Sequence, residues 1–320
     1  MDIHSFFVVY MLYIYCNKIN IYTTKNIEIF QLKHIYDKIN DIEKEEIMDL
    51  YDAIFYRKST KEFSQKKINE KLFDEVKDVC SNLEINKQDI KAHVIERGHL
   101  IHLLMGKKFD IKSPHYILIT SNKNDCFYDI GFIAEEIVLK LTVLGVATCY
   151  LDMNFDYEHI KDFVINKDSD EEHNIEVSDE DDEIIIPQLL IAFGYSSDDM
   201  FREKNEKLDR KQPKNICKDI DKKYKDLLEV VRLSPSYKNC QPWIIKNSGK
   251  KFDIYVEKKY RYSDKMIQIS MGAFLRHFDL YFKKNEKTIT YKKAVHKRNF
   301  KNKSIFSEFR KKYLVSVLVE

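Results

Sequence analysis

The chain is poor in the residues that usually announce a function. It has one tryptophan, five prolines and six cysteines among 320 residues. The cysteines, Cys16, Cys80, Cys126, Cys149, Cys217 and Cys240, form no C-x-x-C pair, and no histidine lies at zinc-finger spacing from them. That scatter argues against a disulfide framework and against a metal site, and points to reduced thiols in the cytoplasm. Charge of one sign is also missing: Lys+Arg at 54 nearly balance Asp+Glu at 52, for a net charge of +2. Nothing in that balance calls for a nucleic-acid partner. The basic run at residues 292–312 lacks a groove-reading architecture and reads as a solvated connection. The apolar run at residues 6–15 is about half the length of a membrane span. Asp2 and His4 precede it where a secretory signal would be basic, and bulky Tyr13, Ile14 and Tyr15 stand where such a signal has small residues. Neither secretion, lipidation nor membrane insertion is expected. No catalytic triad or carboxylate pair stands out.

What the chain does have is concentrated. Ser234-Pro235-Ser236-Tyr237-Lys238-Asn239-Cys240-Gln241-Pro242-Trp243 holds the tryptophan and two of the five prolines. Prolines at both ends forbid a continuing helix. Ser236, Asn239 and Gln241 then offer donors and acceptors from a turn of fixed shape, suited to the edge of a flat polar ligand. A helix stop with a core tryptophan is the plainer alternative.

In chain order, residues 1–47 read as an appendage, consistent with an upstream start codon, and Met48 opens a domain-like segment. Leu50, Ile54 and Phe55 give a short helix leading into Arg57-Lys58-Ser59-Thr60-Lys61-Glu62-Phe63. In an extended segment Arg57, Ser59 and Lys61 share one side, two cations flanking a hydroxyl, as in a phosphate clamp. Asn69 caps a helix with Leu72, Phe73, Val76 and Val79 on one face. Residues 85–112 give only a short strand at 92–95 and polar connections, and residues 115–120 give a buried strand. Residues 129–144 form a central helix apolar on nearly all faces, in which one of Glu135 and Glu136 pairs with a cation and the other faces water. Residues 146–151 leave it as a short strand or loop. A helix at 158–164 and a strand at 184–193 flank a solvated acidic insertion, residues 168–183. A basic stretch with Arg202, Lys204, Lys207, Arg210 and Lys211 precedes Pro213.

The second half opens with a helix capped near Asp219, with Tyr224, Leu227, Leu228 and Val231 inward. After the proline-bounded turn come a strand at 251–257, a glycine-led helix at 271–281 and a terminal strand at 313–319. Gly131-Phe132 and Gly272-Ala273 begin helices with apolar residues at similar offsets, which suggests two related halves. His277 reads as a packed or hydrogen-bonded histidine. The expected organisation is an appendage at 1–47, one half at 48–213 and another at 214–320.

Three of these motifs together resemble the FMN-dependent nitroreductase family. Residues 57–63 are similar to its Arg-x-Ser-x-Arg/Lys-x-Phe opening. Residues 235–243 are similar to its Pro-Ser-x-x-Asn-x-Gln-Pro-Trp segment, and residues 131–151 to its central helix and flavin-side loop. Ordinary members carry the tryptophan segment before the central helix. Its late position here resembles a single-chain branch whose halves mimic the family's homodimer.

The resemblance implies an α+β sandwich of nitroreductase type, two related halves forming a pseudo-dimer around a central sheet. It implies FMN as cofactor, NAD(P)H as donor, and ping-pong transfer to a nitroaromatic, quinone or similar small-molecule acceptor. The chemistry would run on the flavin with no catalytic side chain. Arg57 would hold the phosphate with help from Arg210 and Lys211, Ser59 the ribityl chain or phosphate, and Lys61 the pyrimidine edge, with Lys58 also among the cofactor-binding residues. Thr148, Leu151 and Asp152 would lie beside the ring, where the family often has Glu-Gly instead of Asp152-Met153. Pro235, Ser236 and Asn239 would approach from the other half, with Gln241 supporting the turn at the cofactor site. One chain would then complete one site, as a monomer or weak homodimer. A same-fold flavoprotein with other chemistry, such as reductive dehalogenation, and a non-enzymatic binding protein are the alternatives.

Overall fold

The computed structural model describes residues 48–83, 89–105, 110–152, 186–203, 206, 208–257, 261–292 and 311–320. The expected appendage at 1–47, the helix at 158–164, the acidic insertion, and Met153, Lys204 and Lys207 lie outside them. Asp49–Glu320 form one compact unit. Among the described residues no helix is long and apolar enough to cross a membrane.

The architecture is α+β, built twice from one plan. In the first half α1 (Leu50–Tyr56) and α2 (Glu70–Ser81) lead to β1 (Ile90–Ile95), α3 (Gly98–Met105) and β2 (His115–Ser121). The long α4 (Phe127–Val143) follows, then β3 (Ala147–Leu151) and β4 (Ile186–Gly194). In the second half, short helices α5 (Pro213–Ile216) and α6 (Lys225–Val231) precede the hairpin β5 (Trp243–Ser248) and β6 (Lys251–Glu257). The long α7 (Asp264–Lys284) comes next, then β7 (Ile289–Lys292) and β8 (Lys311–Val319). Apart from α3, which the first half inserts between β1 and β2, each half runs helices, two strands, long helix, two strands. The strand orders, β1-β2-β4-β3 and β5-β6-β8-β7, are the same order counted within each half. All pairings are antiparallel, and the register shifts once in the matching pairs, at Ile119/Thr120 between β2 and β4 and at Ile254/Tyr255 between β6 and β8. Among the described residues the strands make two four-stranded sheets, so each half has its own where the sequence reading expects one shared sheet.

The halves meet where α4 crosses α7. A Cβ on Gly131 would come within 2.7 Å of the Ile269 carbonyl carbon, and one on Gly272 within 2.7 Å of the Phe132 nitrogen and closer still to the Tyr128 carbonyl oxygen. Only glycine allows backbones this near. The contact is reciprocal: Gly131 meets the residue three before Gly272, and Gly272 meets the residue three before Gly131. Ion pairing follows the same symmetry one turn on. Glu135 bonds His277 at 2.8 Å, and Glu136 pairs with Arg276 at 3.6 Å, each acid on α4 facing a base on α7. A two-fold interface makes pairs of this kind by necessity, residue i meeting j and j meeting i.

The core of the first half lies between its sheet and the helices α2 and α4, with Ile117, Ile119, Ile133, Ile137 and Leu141 fully enclosed or nearly so. In the second half aromatic rings fill the same role. Trp243 stacks on Phe274 at 5.2 Å, and Phe252 packs edge to face on both Phe278 and Phe282, which are tilted against each other.

Several local expectations are corrected. Neither Glu135 nor Glu136 faces water: both are fully buried, and each carboxylate has its cation or donors. The second-half helix is capped at Asp221, not near Asp219; the Asp221 side chain accepts from the Lys223 amide at the start of a 3-10 turn that leads into α6. Helix α7 starts at Asp264, seven residues before the glycine-led segment, where Ser263 accepts from the Met266 amide. Helix α3 occupies part of the stretch read as polar connection, and β7 extends into the start of the basic run. Asn69 caps α2 through the Leu72 amide as expected.

Candidate functional site

Helix α1 ends at Arg57, whose backbone turns extended and whose N–H still bonds Ala53 O. From there the chain runs beside β3. Ser59 bridges Thr148, the Thr60 amide donates to Thr148 O at 3.0 Å, and buried Phe63 anchors the far end. This pinning turns Lys58, Ser59 and Lys61 toward a cleft while Arg57 is buried at its base. A second tie, Arg202 N–H to Tyr56 O at 2.8 Å, brings the segment after β4 against the same point.

The opposite wall comes from the second half. The turn 234–243 holds three non-glycine residues with positive φ, Lys238 at 47°, Asn239 at 55° and Gln241 at 44°. Such backbone persists only when surrounding bonds fix it. Here the Gln241 amide donates to Ser236 Oγ at 3.0 Å, and Gln241 Oε1 accepts from the Lys211 amide at 2.6 Å. Tyr237 N–H donates to Ser270 Oγ at 2.9 Å, and Ser270 Oγ donates to Met266 O at 2.6 Å, which bolts the turn to α7. Asn239 Oδ1 accepts from Arg210 Nη1 at 2.5 Å, while Asn239 Nδ2 donates to Asp209 O at 2.9 Å.

Between these walls lies a cavity of about 650 Å³, inside the ordinary range for small-molecule and cofactor sites. One end is cationic, with Arg57, Arg202 and Arg210. The apolar part of the lining is formed by Tyr150, Leu208, Pro235, Met266, Ile269 and Ala273. Lys58, Lys61 and Lys238 also line it, against the carboxylates of Glu206 and Asp209.

Beneath the cleft, Glu135 organises a buried set of donors. Tyr150 OH donates to Glu135 Oε2 at 2.7 Å, His277 Nε2 lies 2.8 Å from Oε1, and Arg57 Nε lies 3.8 Å from the same oxygen. His277 Nδ1 faces Val230 O at 3.2 Å. Burial pushes the Tyr150 phenol well above its usual pKa, and the Glu135 carboxylate adds to this. Tyr150 is therefore neutral, and its one hydroxyl proton goes to Glu135.

The cationic end is the informative feature. Arg57 Nε, Arg202 Nε and Nη1, and Arg210 Nε are buried with no hydrogen-bond partner. Burial pulls the Arg202 and Arg210 pKa values down to about 10, and the neighbouring Arg57 charge adds to the shift in both. Glu135 offsets part of this charge through Arg57 at 3.8 Å, but three mutually repelling guanidinium groups that keep unbonded donors remain costly unless a further anion joins them. A phosphate, with its charge and oxygen acceptors, suits that need.

Of the thirteen residues singled out from sequence, eight line the cavity: Arg57, Lys58, Ser59, Lys61, Arg210, Pro235, Ser236 and Asn239. The other five lie behind it or beyond it. Thr148 and Leu151 are buried on β3, and Asp152 is exposed past its end. Lys211 turns away to Trp243 O and Glu257 Oε2, and Gln241 is spent on holding the turn. Arg202 was visible only as one cation in a basic stretch, without a spacing to distinguish it. Tyr150, Met266 and Ile269 carried no signal beyond apolar periodicity.

The chain matches, over residues 49–281, the family model described as "Putative TM nitroreductase". It is similar in fold to the crystal structure of a "putative nitroreductase" from Thermotoga maritima MSB8, with a TM-score of 0.52 and 19% identity over 86% of this chain and 95% of that one. A nitroreductase with bound FMN from Desulfitobacterium hafniense DCB-2 matches 48% of this chain and 92% of its own length, at 13% identity and a TM-score of 0.36. An FMN-dependent nitroreductase from Clostridium difficile R20291 matches 46% of this chain and 87% of its own, at 17% identity and a TM-score of 0.34. No curated protein matches the chain.

Proposed function

The chain belongs to the family of "Putative TM nitroreductase" proteins, and from that premise we propose that it is an FMN-dependent oxidoreductase. In this reading NADH or NADPH supplies the electrons, and a nitroaromatic, quinone or similar small molecule takes them. The observation that carries the proposal is the arginine cluster Arg57, Arg202 and Arg210, each with a buried nitrogen that has no hydrogen-bond partner, in a cavity otherwise lined largely by apolar residues. FMN has the matching parts, a phosphate at one end and a planar ring at the other. Bound FMN would supply the two-electron chemistry, taking a hydride equivalent from the nicotinamide and handing electrons to the acceptor in alternate half-reactions.

The protein's own part is binding, orientation and charge. Arg57, Arg202 and Arg210 would hold the phosphate, with Ser59 beside them. Met266, Ile269, Ala273 and Pro235 would give the ring an apolar face and limit water around it. Lys61, on the cavity edge, would place positive charge near the pyrimidine end, where it favours negative charge on the ring system. Tyr150, held by its hydroxyl's bond to Glu135, would add a fixed phenol ring to the wall. Because one wall belongs to each half, a single chain would complete one site, and a monomer suffices.

The test is spectroscopic. Protein incubated with FMN and desalted should remain yellow, bleach under anaerobic NADH or NADPH, and regain colour on adding a quinone or nitroaromatic. Protein that retains no FMN at micromolar concentration would sink the proposal. FMN that binds yet ignores both nicotinamides would instead point to a flavoprotein of other chemistry.

A further inference from the structure

Asn239 stands on the cavity wall within the segment that sequence reasoning sends toward the flavin. Its side chain is already committed. Oδ1 accepts from Arg210 Nη1 at 2.5 Å, and Nδ2 donates to Asp209 O at 2.9 Å and to Asp209 Oδ2 at 3.2 Å. We propose that Asn239 is a positioning residue, which aims the Arg210 guanidinium at the phosphate end of the cavity and does not itself bind the flavin ring. This inference rests on the FMN reading above.

The physical need for such a residue is plain. Arg210 sits beside Arg57 and Arg202, which repel it, and beside Asp209, which would draw it sideways. An arginine in that position has many rotamers and a reason to leave. A neutral amide oxygen takes one Nη1 hydrogen without neutralising the charge, whereas a carboxylate there would compete with the incoming phosphate. The same amide nitrogen holds the Asp209 backbone and carboxylate, so the competing acid is tied down by the residue that orients the base. Arg210 Nε is left buried without a partner. The left-handed backbone at Asn239, φ 55°, fits this role, since it delivers the short amide back toward residues 209–210. The turn of one half thus sets an anion-binding cation of the other.

The experiment compares two probes, FMN and riboflavin, which differ by the phosphate alone. Asn239→Gly is the informative variant, because glycine accepts the positive φ and only the amide is removed. Thermal melts confirm that the variant is folded. Dissociation constants come from quenching of flavin fluorescence by the apo-protein. For a lost charge-assisted bond, Asn239→Gly should weaken FMN by about tenfold or more and leave riboflavin within about twofold. In an Arg210→Gln background, adding Asn239→Gly should change FMN affinity by no more than about twofold, since the residues act as one unit. That cycle decides the matter on FMN alone, even where riboflavin binds too weakly to measure. Equal losses for FMN and riboflavin, or additive losses in the cycle, would overturn the assignment and return Asn239 to the ring. A wild-type protein that binds neither probe would remove the FMN reading itself, a different failure.

Discussion

Replacing Gly131 or Gly272 by alanine sets helix propensity against helix packing. Both glycines sit inside long helices, where alanine is intrinsically better by about 1 kcal/mol. Propensity alone therefore predicts a modest gain in stability. The crossing predicts the reverse. A Cβ at Gly131 would lie 2.7 Å from the Ile269 carbonyl carbon and 2.8 Å from its Cα, whereas carbon atoms rest at about 3.5–4.0 Å. The overlap is about 0.8 Å at the least, and the obstacle is backbone, which cannot rotate away. Overpacking in a tight core costs about 1–3 kcal/mol and sometimes more, and a helix-on-helix clash belongs at the upper end. The net expectation is a loss of about 2 kcal/mol for each variant. The two should behave alike, because each glycine meets the residue three before the other. The double variant should lose less than the sum, since one added methyl already parts the helices. Urea unfolding followed by the fluorescence of Trp243, the only tryptophan, measures all four proteins. A gain in stability for Gly131→Ala, or strict additivity in the pair, would refute the crossing as described.

Other perturbations probe the site and its support. Arg202→Ala should lower FMN affinity by about ten- to a hundredfold, the worth of a charged hydrogen bond, read by fluorescence titration; an unchanged value would separate Arg202 from the phosphate. Glu135→Ala should destabilise the protein by about 3–5 kcal/mol, because it strips the buried carboxylate from Arg57, Tyr150 and His277, and Glu135→Gln should cost visibly less in the same urea assay. Burial raises the Cys80 thiol from 9.0 to about 12. The fold therefore favours the protonated thiol: this contribution is whole below about pH 9 and is lost as pH rises toward 12. Urea midpoints at pH 7, 9 and 10 should fall across that range, and less steeply in Cys80→Ala.

The fold was readable where pattern and chemistry agreed. Asn69 announced its helix, residues 115–120 their strand, and the paired glycines the doubled architecture. The late tryptophan segment carried the strongest hint of the site, and eight of the thirteen residues named from sequence line one cavity. What escaped has physical reasons. Helix α3 (GHLIHLLM) is short and opens on a glycine, a poor helix signal. The first turns of α7 mix Lys265, Gln268 and Ser270 with apolar residues, so the helix seemed to begin at its glycine. One of Glu135 and Glu136 was expected to face water because their partners His277 and Arg276 lie in the other half, and sequence spacing cannot register such pairs. Arg202 reaches the site through one backbone bond to Tyr56, a contact without a sequence signature. Lys211 was drawn to the ligand by its basic stretch, yet its ammonium faces Trp243 O and Glu257, and its amide meets Gln241, which holds the turn.

The central claim is that both halves of the chain build a single flavin site, with cations from one and a rigid turn from the other. Its most direct test is the flavin content of protein saturated with FMN, desalted, denatured and assayed by flavin absorbance against protein concentration. The account predicts about one FMN per chain, in keeping with how few such sites a protein carries. No retained FMN would contradict the site, and two per chain would contradict its being shared between unlike halves.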